Sequence, residues 1–280
     1  MPAGLVAARA VHYAACTGLF GLSLFALYAV QAPRMRGWLV GLAATALASG
    51  GAWFLLVTAN LAGRVDAASL AAVAGETSFG PMWIARLLIS AALVALALPG
   101  PRTTPVVALL AGALLGSIAL TGHTQIHEGG LRLVHVASDA LHLLGAGAWL
   151  GGLIGLSLIL GDRTGSSPAL RPTVARFSQL AYAAVAALVV SGLVNAFILV
   201  GSPAALISTG YGRLLLLKLL FFAGMLALAG LNRFRISPAL AGPSANEAAR
   251  ALRRNVLAEQ LLAIAVLLCV ARLGIGEPPA

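Results

Sequence analysis

The amino-acid sequence predicts an all-α, polytopic membrane helix bundle of about eight transmembrane helices. Three observations predict it. Apolar residues make up 60% of the 280, charged residues only 9%, and the mean hydropathy is +0.96; a soluble globular domain carries about 25% charged residues. The apolar residues fall in long unbroken runs that lack the period-two alternation of a membrane β-barrel. Arg, Gly and Pro gather between the runs, where turns and membrane interfaces belong. A soluble enzyme, a nucleic-acid reader and a disordered tail are therefore excluded. The net charge of +10 comes from interfacial arginines rather than from a nucleic-acid-binding face.

Each span needs ~20 apolar residues. The first helix is expected near residues 5–30; Met1–Val30 is too long for the apolar region of a signal peptide. The second, near 38–61, follows Arg34 and Arg36. The third, near 80–98, is stopped by Pro99, Gly100 and Pro101, and the fourth runs near 105–121. The last four are expected near 131–160, 176–200, 212–231 and 254–273. The two long connections, 62–79 and 232–253, are too short to fold as domains, so residues 1–280 read as a single transmembrane domain. Cys16 and Cys269 lie far apart inside apolar runs and imply no disulfide framework.

Loop charge orients the bundle. Loops after the odd-numbered helices hold eleven arginines: Arg34, Arg36, Arg102, Arg163, Arg171, Arg176, Arg233, Arg235, Arg250, Arg253 and Arg254. The opposite side holds five: Arg9, Arg64, Arg132, Arg213 and Arg272. The odd loops are thus expected in the cytoplasm, and both termini outside, which is the periplasm for a bacterial inner membrane.

Ionisable groups inside spans are costly and mark functional candidates. On this topology all five histidines lie toward the outer face: His12 in the first helix, His123 and His127 in an outer loop, His135 and His142 in the fifth helix. Asn60, Arg86, Asp139, Asn195 and Lys218 share that layer, while the inner half has Gln179, Glu259 and Gln260 near the helix ends. The pattern describes a polar site open to the outside above a mostly apolar inner half.

The densest signal is "HVASDALHLLGAGAWLGGL" at 135–153. At about 100° per residue, Asp139 lies about 40° to one side of His135, with His142 about 20° and Trp149 about 40° to the other, so all four share one face. His135 and His142 are ~10 Å apart along the axis. Either Asp139 bridges two sites, or it orients one imidazole; the plainer alternative is a polar face bonded to neighbouring helices. His12 and Cys16 are four apart, and imidazole with thiolate suits copper or zinc, the sulfur favouring Cu(I). A cysteine in an apolar run is also an ordinary small hydrophobe. "HTQIHEGG" at 123–130 reads as a metal-collecting loop or a solvated turn. Lys218 either snorkels to the interface or pairs with Asp139. Arg86 is read as snorkelling, and Met82 as a soft ligand of low weight. No Met-rich tract, CxxC or Walker spacing is present, which argues against direct nucleotide coupling in this chain.

The pairing of 135–153 with "YGRLLLLKLLFFAGMLALAGLNRFRISP" at 211–238, with "FSQLAYAAVAALVVSGLVNAFILVG" between them, resembles the CopD family of bacterial copper-resistance membrane proteins. The opening "ARAVHYAACTGLFGLSLFALYA" fits as well, and the family-like core spans 131–238. The resemblance implies an inner-membrane, non-enzymatic protein that takes copper from a periplasmic CopC-type carrier and passes it toward the cytoplasm. By position it makes His135, Asp139 and His142 the central cluster, with His12 contributing and Trp149, Gly151 and Gly152 supporting close packing. The sparse methionines leave Cu(I) and Cu(II) both open. Two further readings stand beside transport: a haem-binding cytochrome of the di-haem b type, with His12 facing His135 or His142, and a copper-sequestering protein without transport.

Overall fold

The computed structural model describes residues 3–30, 35–121, 128–161, 169–274 and 276–279. Its helices are α1 (Ala3–Tyr28), α2 (Arg36–Ala62), α3 (Ala67–Glu76), α4 (Gly80–Ala97), α5 (Thr104–Gly116), α6 (Gly129–Gly161), α7 (Leu170–Val200), α8 (Pro203–Ser208), α9 (Gly210–Leu231), α10 (Ser237–Ala239) and α11 (Ala245–Leu273). A π-turn, Asn232–Ile236, joins α9 to α10. No strand occurs among the described residues.

Seven segments are long and apolar enough to cross a membrane: α1, α2, α4, α6, α7, the stretch Gly210–Ala239, and α11. Of the eight expected spans, the fourth is not among these seven. It is a shorter apolar helix, Thr104–Leu120, whose last turn tightens to 3-10 geometry at Ser117–Leu120. It reaches about 27 Å, just short of a hydrocarbon core of about 30 Å.

Two connections also hold more structure than the sequence announced. Within 62–79, Asp66 caps α3: its carboxylate accepts from Ser69 N at 2.8 Å while Ser69 Oγ accepts from Asp66 N at 3.0 Å. The signature is easy to miss because Ser stands where Glu or Gln completes the usual capping box. Within 232–253, α11 begins at Ala245, well before the predicted 254. Its first turns carry the exposed Arg250, Arg253 and Arg254, so a hydropathy window excludes them although the helix continues past the apolar layer.

Parallel helices α1 and α6 form the centre of the bundle. Gly21 of α1 lies against the backbone of Gly147 and Gly151, and Phe25 lies on Gly155. A Cβ on Gly21 or Gly151 would fall inside the facing backbone. Glycines repeated every fourth residue allow this approach, as in other membrane helix pairs. The glycines of α6 therefore serve packing, and α6 runs as one continuous α-helix through them. Around this pair, α2 and α5 pack on α1, α4 packs on α2, α7 and α11 pack on α6, and α9 packs on α11.

Candidate functional site

His12, His135, Asp139 and His142 all precede the Gly21–Gly147 contact on parallel helices, so they lie toward one end of the bundle. They do not meet in one place. The structure divides them between two polar clusters.

The first cluster joins α1, α2 and α4. His12 is 1% exposed. Its Nδ1 lies 3.0 Å from the carbonyl oxygen of Ala46 and 3.2 Å from Ser49 Oγ. A carbonyl only accepts, so Nδ1 carries the proton and Nε2 carries the lone pair. Arg86 donates to that lone pair from its terminal nitrogen at 3.3 Å, and Cys16 Sγ stands 3.5 Å away. Gly50 makes room for the imidazole, since a Cβ there would press on its Cε1 at 3.2 Å.

Arg86 does not snorkel. It is 2% exposed, and its guanidinium lies 4.3 Å from the Trp83 ring centroid. Trp83 donates from Nε1 to the Gly50 carbonyl at 2.9 Å and packs edge-on against Trp53. The cation is held by an aromatic face and a neutral imidazole, inside a wall that includes Tyr13 and Arg9 over Trp53. Met82 sits half-buried beside Trp83 in the first turn of α4.

The second cluster joins α6, α7 and α9. His142 Nδ1 lies 3.0 Å from Ser191 Oγ. The Ser191 hydroxyl donates to the Ala187 carbonyl, so it accepts from His142, and Nε2 keeps its lone pair. Gly192 leaves the space beside this ring, where a Cβ would sit 3.4 Å from Cε1. Three residues earlier on α6, Asp139 Oδ1 accepts from Asn195 Nδ2 at 3.3 Å. Ser138 completes the seam by donating to the Ser191 carbonyl at 3.1 Å. His135 is buried at 2% exposure on the same helix. Lys218 of α9 is partly buried and acts electrostatically on both Asp139 and His142. The Asp139–Lys218 pair does not close to an ion-pair distance of 4 Å, the described ion pair being Arg64–Asp66 at 3.1 Å.

Among the described residues, no three His, Cys, Asp or Glu side chains converge on a metal-sized point. His123 and His127 lie outside the described residues. Sequence reasoning missed Ser49, Trp53, Trp83, Ser138 and Ser191. Polar residues in apolar runs are a signal for the serines, and Ser191 and Asn195 are four residues apart, as Ser138 and His142 are. Nothing in the sequence pairs Trp53 with Trp83.

Comparisons with known proteins identify the family. The family profile "Copper resistance protein D-like, N-terminal domain" matches residues 1–133, and "Copper resistance protein D" matches residues 171–273. Copper resistance protein D of Pseudomonas syringae pv. tomato is 33% identical over 98% of this chain and 96% of its own length. Inner membrane protein YebZ of Escherichia coli (strain K12) is 33% identical over 58% of this chain and 57% of its own length. Copper transport protein CutJ of Bacillus subtilis (strain 168) is 33% identical over 56% of this chain, which corresponds to 30% of that protein. No solved structure matches the chain. Two profiles of one family and a relative aligned from end to end establish that the chain belongs to the copper resistance protein D family.

Proposed function

We propose that this chain is a copper-translocating protein of the bacterial inner membrane, receiving copper on the periplasmic side and passing it toward the cytoplasm. Copper is the cargo, and no enzymatic step is involved. In this reading both termini face the periplasm, the short helix Thr104–Leu120 counts as the eighth membrane segment, and a separate carrier of the CopC type delivers the ion.

One observation carries the choice of site: His142, with Nδ1 committed to Ser191, has an Nε2 that no described hydrogen-bond donor meets, three residues from the carboxylate of Asp139. Ser191 fixes the imidazole and Asn195 fixes the carboxylate, the arrangement in which outer partners orient ligands. Imidazole and carboxylate together suit Cu(II) better than a sulfur-bearing pair does. Lys218 offsets the carboxylate charge in the absence of copper and gives way to the incoming ion. His135, farther out on α6, and His123 and His127 before it supply the remaining donors. His12 and Cys16, a softer donor pair by residue type, stay covered by Arg86 in this reading and lie outside the copper site. The haem reading is weakened by the same contact, because His12 has both ring nitrogens engaged.

The test is copper accumulation in a bacterial strain that depends on this protein. His142→Ala and Asp139→Asn are expected to abolish accumulation while the protein still reaches the membrane. Unchanged accumulation in both variants would overturn the site. Bound copper without flux in reconstituted vesicles would favour sequestration over transport.

A further inference from the structure

At the opposite end of the bundle lies a second feature that copper binding does not use. Glu259 of α11 is 1% exposed. Its Oε1 accepts from Asn232 Nδ2 at 2.6 Å, and Asn232 Oδ1 in turn accepts from Asn255 Nδ2 at 3.0 Å. Its Oε2 is buried without a partner. Asn232 is the first residue of the π-turn that closes α9, and π-turns recur at functional positions in helices. Ser237 holds this turn by donating to the Asn232 carbonyl at 2.7 Å.

Glu259 lines a cavity of about 220 Å³ between α6, α7, α9 and α11. A single water needs about 10–15 Å³ by this measure, so several fit. Tyr182, at 54% exposure, and Phe234, at 73%, stand on its rim with Arg233, so the cavity opens at the bundle surface. The exposed Arg235, Arg250, Arg253 and Arg254 surround that end and place the rim at a membrane–water interface. Trp149, 1% exposed, forms the deep wall and separates the cavity from the His142 layer.

At this end of the bundle the charged and titratable groups on the elements around Glu259 are Arg233 and Arg235 on the π-turn, Arg171, Arg176 and Tyr182 on α7, Tyr28 on α1, and Glu247, Arg250, Arg253 and Arg254 on α11, with Lys218 farther off on α9. On α6 the nearest are Asp139 and His142, about 27 Å and 22 Å along the helix from Ser157, which is bonded to Gln260 beside Glu259. None of them forms an ion pair with Glu259 among the described residues. A carboxylate in an apolar membrane interior with no cation to offset it is strongly disfavoured relative to its protonated form. A carboxylic acid matches the geometry: Oε1 accepts from Asn232, and Oε2, buried without a partner on a residue that lines the cavity, bears the proton.

We propose that Glu259 is a reversible proton-binding site, filled and emptied through water in this cavity, and that it couples proton movement to copper movement. The exchange is simple in its balance: the carboxylic acid gives one proton to cavity water and becomes a carboxylate, and takes one back. The coupling rests on the copper-transport reading; the proton site does not.

Two measurements on the full chain in lipid separate these. The first uses dicyclohexylcarbodiimide, which modifies protonated carboxyls in apolar surroundings, in the absence of copper. Labelling at Glu259 that falls as pH rises, and is absent in Glu259→Gln, is the expected result. No labelling at any pH, with no carboxylic-acid carbonyl band lost from the infrared spectrum of Glu259→Gln, would overturn the proton site. The second follows proton and copper flux together in proteoliposomes. Copper-driven proton flux in the wild type, lost in Glu259→Gln and retained in Glu259→Asp, supports coupling. Copper flux without proton flux, equal in wild type and Glu259→Gln, overturns it. No copper flux in the wild type would overturn transport and the coupling with it, and the labelling result would still decide the proton site.

Discussion

His12 and His142 are the same chemical object in two settings. Each is an imidazole inside a helix bundle, each has Nδ1 committed as a donor, and each has a small residue beside the ring: Gly50 for one, Gly192 for the other. They differ in what meets Nε2. At His12 a buried guanidinium covers the lone pair and brings a positive charge to the place where a metal ion would bind. At His142 no described hydrogen-bond donor meets Nε2, Lys218 acts on the ring only electrostatically, and a carboxylate lies one turn away. A histidine in a span is therefore not a ligand by virtue of its residue type. The neighbours on other helices decide whether it is offered to a cation or locked against one.

The largest effect is expected where both settings depend on the same frame. Gly151→Leu would drive α6 off α1 and move His12 and His142 relative to each other. Overpacking of this kind costs about 3 kcal/mol, and the loss should appear in thermal unfolding of the detergent-solubilised protein. Next comes Ser191→Ala, which releases the ring of His142 without removing it. Loss of such an orienting partner weakens metal binding by about 10–100-fold, readable in a copper titration of the purified protein. The smallest effect belongs to Ser49→Ala, which removes one of the two Nδ1 contacts of His12 and leaves the Ala46 carbonyl in place. It should cost about 1 kcal/mol in stability and leave copper affinity unchanged, since that imidazole is a structural element of the α1–α2–α4 wall.

Much of the fold was legible in the sequence because membrane helices report themselves through composition. The eight apolar segments fall where helices occur, and only the fourth is too short to rank with the others. What a search for spans cannot see is helix that continues outside the apolar layer, as in α11, or an apolar helix too short to cross, such as α3. The polar layer was also legible, since each ionisable residue in an apolar run announces itself. Its division into two clusters was not. Helical periodicity places His135, Asp139 and His142 on one face of α6, but Arg86 reaches His12 across 74 positions of sequence and Ser191 reaches His142 across 49. Those pairings are set by the rotation of each helix about its axis, which no single-helix pattern encodes; the Gly21–Gly147–Gly151 contact fixes it for α1 against α6.

The contrast between the two imidazoles is tested most directly by copper stoichiometry on purified protein, with His12→Ala and His142→Ala measured side by side. Copper retained by His12→Ala and lost by His142→Ala is the expected result and would place the ion between α6 and α7. Copper lost by His12→Ala and kept by His142→Ala would contradict it, and would mean that Arg86 leaves His12 when the ion arrives.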